Sequence, residues 1–289
     1  MNLNQPLVSF VIVNYGNIDD TVECIDSIYS ITYHNYNIII IDNSDTCEYY
    51  ERLLSLNLDK TKVYKSKNNR GFAAGCNIGI QKAQDLGAEY VLLINNDTVI
   101  KSPNLIEELL YCFKKPNVGM VGCKILYYDN PDKCWYSAGY ISPIRLKAKC
   151  RNLKKRSYTP FVTGCLQMID INTFKAIGPL AEEYFLYYED ADYCKRLLNA
   201  NIKIVYTPYA VICHKVSQSI SSSSSKSVYY SNRARFLYIK RFEKNNYPAL
   251  FCFWMEFIIK LCFYKREKRK ALTNLLYEIM KKTVNTNLI

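Results

Sequence analysis

No C-x-x-C pair occurs anywhere in this chain of 289 residues, although it holds twelve cysteines. That absence argues against a structural zinc site and against a disulfide framework. The cysteines are scattered singly, several of them inside apolar runs (Cys165, Cys213, Cys252). Reduced thiols in a cytosolic compartment are the expectation. The opening segment MNLNQPLVSF has neither a basic n-region nor a long apolar h-region, so no secretory signal is expected. Ten glycines and nine prolines are too few for a largely disordered chain. Histidine is scarce, with only His34 and His214, and His34 reads as a surface residue. Acidic charge is in deficit, leaving a net +12. The imbalance is local: residues 226–289 carry 14 basic and 4 acidic side chains, whereas the first 225 carry 24 and 22. A hydrophobic content of 49% suffices for one large domain, or one domain with an appendage.

The first half alternates strand-like and helix-like segments. LVSFVIVNY (7–15) is a continuous apolar run, as in a strand covered on both faces. Helical spacing follows over 18–31, then a second buried strand, YNIIIIDNSD, at 36–45. CEYYERLLSLNL reads as a helix, KVYKSKNN as a short third strand and GFAAGCNIGIQKAQDLG as a Gly-rich helix start. YVLLIN is a fourth strand. This order predicts a mostly parallel, Rossmann-like sheet between helices, with ligands bound beyond the carboxyl ends of the strands. Asn14, Asp42, Asn43, Asp45 and Asn95–Asp97 then share one rim. Farther on, PNVGMVGCKILYY predicts a strand and FVTGCLQMIDINTFKAIG a strand, a turn and a short helix. YFLYYEDADYCKRLLNAN predicts a helix with acids at its front, and IKIVYTPYAVICHK a strand pair. SQSISSSSSKS (217–227) is of low complexity. The expected division is a catalytic domain over 1–216, a mobile Ser-rich linker over 217–227 and a basic amphipathic helical tail over 228–289. No internal repeat is present.

Four features carry chemistry. Asn95, Asn96 and Asp97 end a buried strand. They suit either an Asx turn or a site for a hard divalent cation with room for phosphate oxygens. NNRGFAAGCNIGI places Arg70 and three glycines at a helix start, where backbone can approach an anion, yet it is neither a P-loop nor a G-x-G-x-x-G fingerprint. Glu189, Asp190 and Asp192 crowd together behind an aromatic run. Their repulsion and burial would raise carboxyl pKa values, as a general base requires, whereas a solvated helix N-terminus would also favour acids. His214 follows the apolar YAVIC, where it completes a metal shell or serves as a structural histidine.

The segments VIVNY, IIIIDNSD, NNRGFAAGCNIGI, VLLINNDT, TGCLQMI, YFLYYEDADYCKR and AVICHKVSQS, in this order from about Val8 to Ser219, resemble the family 2 inverting glycosyltransferases of GT-A fold. The likeness is to their rhamnosyltransferase and galactofuranosyltransferase branch. The resemblance implies that Asn14, Asp42 and Asn43 lie around the nucleoside of a nucleotide-sugar donor. Arg70, Gly71, Phe72 and Asn77 would lie beside its base and diphosphate. Asn95, Asn96 and Asp97 correspond to the DXD motif with its first acid replaced, which makes Asp97 the main ligand of Mn2+ or Mg2+ and His214 a second candidate. Asp190 matches the general base, with Glu189 and Asp192 supporting the acceptor site or the helix start. dTDP-rhamnose, UDP-galactofuranose and UDP-hexoses all fit as donors, with a glycan or lipid-linked glycan of bacterial surface polysaccharide synthesis as acceptor.

The tail mixes cations with aromatic and aliphatic residues. Residues 248–264 are mostly apolar but short for a transmembrane helix, and Glu256 and Lys260 interrupt them. KREKRK follows. Peripheral contact with an anionic membrane at its cytoplasmic face fits this pattern, as does packing on protein. No nucleic-acid motif accompanies the charge. A nucleotidyltransferase would want a basic Gly-rich loop after the first strand, where NYGNIDD stands instead. A non-catalytic nucleotide-sugar or glycan-binding protein on the same fold is the other alternative.

Overall fold

The computed structural model describes residues 5–216 and 224–286. Its elements in chain order are β1 (Val8–Asn14), α1 (Ile18–Tyr29), β2 (Tyr36–Asp42), α2 (Glu48–Ser55), β3 (Thr61–Lys65), α3 (Phe72–Asp85), β4 (Tyr90–Asn95) and β5 (Thr98–Ile100). Then come α4 (Leu105–Phe113), β6 (Val118–Tyr127), β7 (Cys134–Tyr136), β8 (Ala138–Ile141), β9 (Ala148–Arg151), β10 (Ser157–Tyr158), β11 (Leu166–Asp170) and α5 (Ile171–Ile177). A 3-10 turn at Glu182–Tyr184 leads to α6 (Glu189–Asn199), β12 (Lys203–His214), α7 (Ser225–Phe242), α8 (Tyr247–Phe263) and α9 (Arg266–Thr286).

The main sheet runs β10-β12-β6-β11-β4-β1-β2-β3. β3, β2, β1 and β4 are parallel, β11 is antiparallel to both its neighbours, and β12 runs parallel to β6. Every residue of β1 is buried, as a strand covered on both faces requires. The chain leaves β1 toward β2 on one side and returns as β4 on the other, so the strand order reverses around β1. The register pairs Asn14 with Asp42 and Val13 with Asn95, which brings the three polar strand ends to one edge at this switch point. Asn17 begins α1 by accepting from the backbone N–H groups of Asp19 and Asp20. α3 lies close on the sheet because two of its glycines lack a side chain: a Cβ at Gly79 would meet Val11 Cγ1 at 2.3 Å.

Three expectations change. The predicted strand pair near the end of the catalytic part is one long strand, β12, whose pairing with β6 shifts register between Thr207 and Val211. A bulge there takes the place of a break between two strands. The helix predicted from Tyr184 begins only at Glu189, because Phe185, Tyr187 and Tyr188 have φ of +62°, +68° and +68°. That left-handed backbone cannot continue into a right-handed helix. The Ser-rich stretch lies outside the described residues at 217–223, while Ser224 caps α7 and Ser225–Ser227 form its first turn.

The chain forms two compact units. One comprises the residues up to Ile141, Ala148–Phe185 and the stretch from Glu189 through β12. The other comprises Ser142–Lys147, Leu186–Tyr188 and the three C-terminal helices. Two short segments from the first 216 residues thus belong with the tail. All twelve cysteines are free.

Replacing Gly79 by alanine should destabilise the fold by about 1–3 kcal/mol, because Val11 must shift within the packed layer. A fall in the urea midpoint checks this; an unchanged midpoint would contradict the close approach of α3 to β1.

Candidate functional site

The rim at the switch point is built from side chains that bind one another. Asp42, fully buried, accepts from Asn14 Nδ2 at 3.0 Å, from Ser44 Oγ at 2.6 Å and from Lys65 Nζ at 2.8 Å. Asn14 also accepts from Thr21 Oγ1 at 2.7 Å. Asn43 donates to the Gly71 carbonyl at 3.0 Å, fastening the β2 end to the start of α3. Asn77, in α3, donates to the Leu180 carbonyl and to Glu182 Oε1, and its own oxygen accepts from Leu180 N. These four side chains are therefore engaged in shaping the wall. Asp45, also placed on this rim by the sequence, accepts from Tyr15 OH at 3.3 Å on the exposed side.

Gly71 has φ +98°, and a Cβ there would lie 2.1 Å from the Phe185 carbonyl oxygen, which accepts from Phe72 N. Only glycine permits this approach. Arg70 is largely exposed and pairs with Glu182 at 3.0 Å.

β4 ends in Asn95, whose N–H donates to the Cys165 carbonyl. Asn96 is buried and donates to Thr21 Oγ1 at 3.1 Å. Asp97 is 6% exposed and begins the turn into β5. β5 pairs antiparallel with the end of β12, setting Thr98 opposite His214. That pairing brings His214 Nε2 to 3.2 Å from Asp97 Oδ1. Yet Asp97 Oδ1 and His214 Nδ1 both lack a hydrogen-bond partner although buried. The Asp97 oxygen that lacks a hydrogen bond is the one that His214 Nε2 faces at 3.2 Å, an arrangement that suits a carboxylate and an imidazole sharing a divalent cation, whereas Nδ1 lies on another edge of the ring. Among the described residues no group of three His, Cys, Asp or Glu side chains converges, so the protein could offer such an ion two ligands here, and further ones would come from water or a bound phosphate.

The acid pair lies at the first turn of α6. Asp190 accepts from Gly164 N at 2.9 Å and from Ala191 N at 2.7 Å. Gly164 stands within van der Waals reach of Asp190, and a Cβ there would lie 3.4 Å from its Cβ. Glu189 is buried, and its Oε2 has no partner. Burial, then the adjacent Asp190 charge, pushes the Glu189 carboxyl up to about 8. Burial raises Asp190 as well, against the pull of the Gly164 and Ala191 N–H groups. Asp192 stands apart in character. It is fully buried, pairs with Arg196 at 2.7 Å and accepts from Tyr184 OH. These bonds tie α6 to the segment before it, and the side chain is closed to an acceptor.

Two contributors escaped the sequence reading. Trp135 in β7 sets its ring edge-on to His214, with centroids 4.5 Å apart. Lys215 pairs with both Asp20 and Glu23 and holds the end of β12 against α1. Trp135 could have been noticed as one of only two tryptophans, whereas nothing local marks Lys215.

The sequence profile described as Glycosyl transferase family 2 matches residues 9–178, more than half of the chain. This chain belongs to glycosyl transferase family 2. The family 2 enzyme is 28% identical over 278 residues to the low-salt glycan biosynthesis hexosyltransferase Agl10 of Haloferax volcanii, a match covering 90% of this chain and 86% of that one. It is 24% identical over 256 residues to the rhamnosyltransferase WbbL of Escherichia coli K12, covering 81% and 93%. Its fold superposes on the mannosyltransferase PcManGT from Pyrobaculum calidifontis, solved with GDP-Man and Mn2+, at a TM-score of 0.60 over 98% of this chain and 83% of that one. At 13% identity that likeness speaks for the fold alone, the GT-A arrangement expected from the sequence.

The raised Glu189 value makes a stability prediction for this glycosyltransferase. The folded carboxyl holds a proton that the unfolded chain has released, so stability should fall as pH rises from about 4.5 through about 8. Glu189→Gln should remove much of that fall, on the order of 2–4 kcal/mol at pH 9. Urea unfolding of both proteins between pH 5 and pH 9 measures it, and parallel pH profiles would contradict it.

Proposed function

We propose that this glycosyltransferase moves a sugar from a nucleoside-diphosphate donor, dTDP-rhamnose or a UDP-sugar, to a glycan or lipid-linked glycan acceptor by single displacement with inversion. The observation that supports this most is a short path of bonds. Asn95 N–H donates to Cys165 O, and the next residue, Gly164, donates to Asp190 Oδ2. The strand end carrying Asp97 and the candidate base are thus held to one another through two adjacent residues of a single loop.

In this reading Asp190 takes the proton of the acceptor hydroxyl as its oxygen bonds to the anomeric carbon. The bond from that carbon to the diphosphate breaks on the opposite face, so the configuration inverts. Glu189 keeps its proton near neutral pH, while the Gly164 and Ala191 N–H groups favour negative charge on Asp190 against its burial. Asp97 and His214 would hold a divalent cation, Mn2+ or Mg2+, between Oδ1, which lacks a hydrogen bond, and Nε2, 3.2 Å from it. Such an ion supplies charge neutralisation to the departing diphosphate. Gly71, Phe72 and the exposed Arg70 border the donor, Asn95 and Asn96 shape the turn that presents Asp97, and Asn14, Asp42, Asn43 and Asn77 fix the wall. Trp135 keeps the His214 ring oriented.

The same reading sets the enzyme in bacterial surface polysaccharide synthesis, at the cytoplasmic face of the membrane. α8 supports it by exposing Tyr247, Phe251, Ile258, Ile259 and Phe263 along one side, directly before the basic start of α9. Among the described residues no helix is long and apolar enough to cross a membrane, so the contact would run along the surface.

Nucleotide release from a panel of dTDP- and UDP-sugars, with and without manganese, tests the donor class. Release from at least one donor, dependent on the metal, is expected; none from any donor would contradict the proposal. Asp190→Asn should lower transfer by about 10²–10⁴-fold with donor affinity retained, and normal turnover in that variant would remove Asp190 from the role of base.

A further inference from the structure

Glu256, in the middle of α8, is the centre of a second charged cluster. Its Oε1 lies 2.8 Å from Arg145 Nη2, and its Oε2 lies 2.7 Å from Lys147 Nζ and 2.8 Å from Arg235 Nη1. Lys260, one turn further along α8, donates to Asn232 Oδ1 at 2.8 Å. Three cations thus meet one carboxylate, and a fourth stands one turn away on the same helix. Burial works against ionisation of Glu256, but hydrogen bonds from Lys147, Arg145 and Arg235 outweigh it and hold the carboxyl down at about 2. Burial, reinforced by Lys147, pushes the Lys260 ammonium down to about 8. The cluster is short of negative charge.

Arg235 makes that shortage specific. It is 2% exposed, and only Nη1 is used by Glu256; its Nε and Nη2 have no partner. Stacking of the guanidinium on Phe253, 5.4 Å from the ring centroid, occupies its face but leaves these in-plane N–H groups unmet. Buried donors left unmade are destabilising, and an acceptor-rich anion would satisfy them.

The cations are also held in place. Arg145 and Lys147 lie on the turn Ser142–Lys147, closed by Leu146 N donating to Ser142 O at 2.8 Å, with Leu146 at φ +48°. Asn246 Nδ2 donates to Pro143 O at 2.9 Å, and Tyr188 OH donates to Leu146 O. The turn is fastened from two further segments of its own unit. Arg145 and Lys147 remain half-exposed and give the cluster its open side.

We propose that Arg145, Lys147, Arg235 and Lys260 form a binding site for a phosphate or diphosphate group. Such a group brings two or more negative charges and several acceptor oxygens, which match the excess charge and the free edge of a guanidinium fork. A single carboxylate would supply too little of either. The group can come from a soluble phosphate compound or from the headgroup of an anionic lipid. This site belongs to the C-terminal unit and does not rest on the donor reading.

The test uses the full chain carrying Asp97→Ala, in EDTA, so that metal-dependent diphosphate binding elsewhere is silenced. Titration with pyrophosphate, and flotation with phosphatidylcholine vesicles with or without phosphatidic acid, form the two arms. Binding in one arm or both should drop at least tenfold in Arg145→Ala/Lys147→Ala and in Lys260→Met. It should change less than twofold in Lys62→Ala/Lys175→Ala, which removes equal charge from exposed positions on β3 and α5. Pyrophosphate binding without flotation identifies a soluble source, and flotation that pyrophosphate competes away identifies a lipid one. Equal losses in the Lys62→Ala/Lys175→Ala control, or binding in neither arm, would overturn the proposal.

Discussion

A carboxylate taken out of water costs several kcal/mol unless cations or N–H groups replace the lost solvent. Among the described residues five acids are buried: Asp20, Asp42, Asp97, Glu189 and Asp192. Three of them meet Lys or Arg directly. Asp20 pairs with Lys215, Asp42 with Lys65 and Asp192 with Arg196. Each of these pairs fastens one element to another: β12 to α1, β2 to β3, and α6 to the segment before it through Arg196, which donates to the Ile177 and Pro179 carbonyls. Asp97 and Glu189 have no such partner. One presents an oxygen without a hydrogen bond to His214 Nε2, and the other is driven to hold its proton. The division between acids that hold the fold and acids left poised follows the division between paired and unpaired charge.

The poised pair depends on the paired ones. Asp42 ties the end of β2 to β1 and β3, and Lys215 ties the end of β12 to α1; β1 pairs with β4 and β12 with β5, the two strands that flank the turn at Asp97. The Asn95–Cys165 bond and the Gly164–Asp190 bond then transmit that placement to α6. The second unit repeats the theme with opposite sign. Its buried Arg235 is the cation left with unmade donors, beside a carboxylate already shared three ways.

Much of this was legible in the residues. The all-apolar β1 and β2 and the polar ends at Asn14, Asp42 and Asn95 announce a parallel sheet with its site on one edge. The crowding of Glu189 and Asp190 foretells raised carboxyl values. Asp192 was grouped with them because its neighbours are acidic, yet Arg196 stands at i+4, a spacing that signals a pair within one helix. The closeness of Asp97 to His214 depends on antiparallel pairing of β5 with β12, a contact that no local pattern encodes. The late start of α6 was equally hidden, since three left-handed aromatic residues contradict their own propensities and are held by tertiary contacts such as Phe72 N on Phe185 O. Glu256 and Lys260 read as interruptions of an apolar segment, and folding makes them the poles of a charged cluster.

The central proposal is that Asp97 Oδ1 and His214 Nε2, buried and facing one another at 3.2 Å, together hold a divalent cation. Manganese binding followed by electron paramagnetic resonance, with and without UDP or dTDP, tests it most directly. Asp97→Asn and His214→Ala should each weaken manganese binding at least tenfold, and the double variant should lose little more than either alone, as two ligands of one ion would. Unchanged manganese affinity in both single variants would contradict the account.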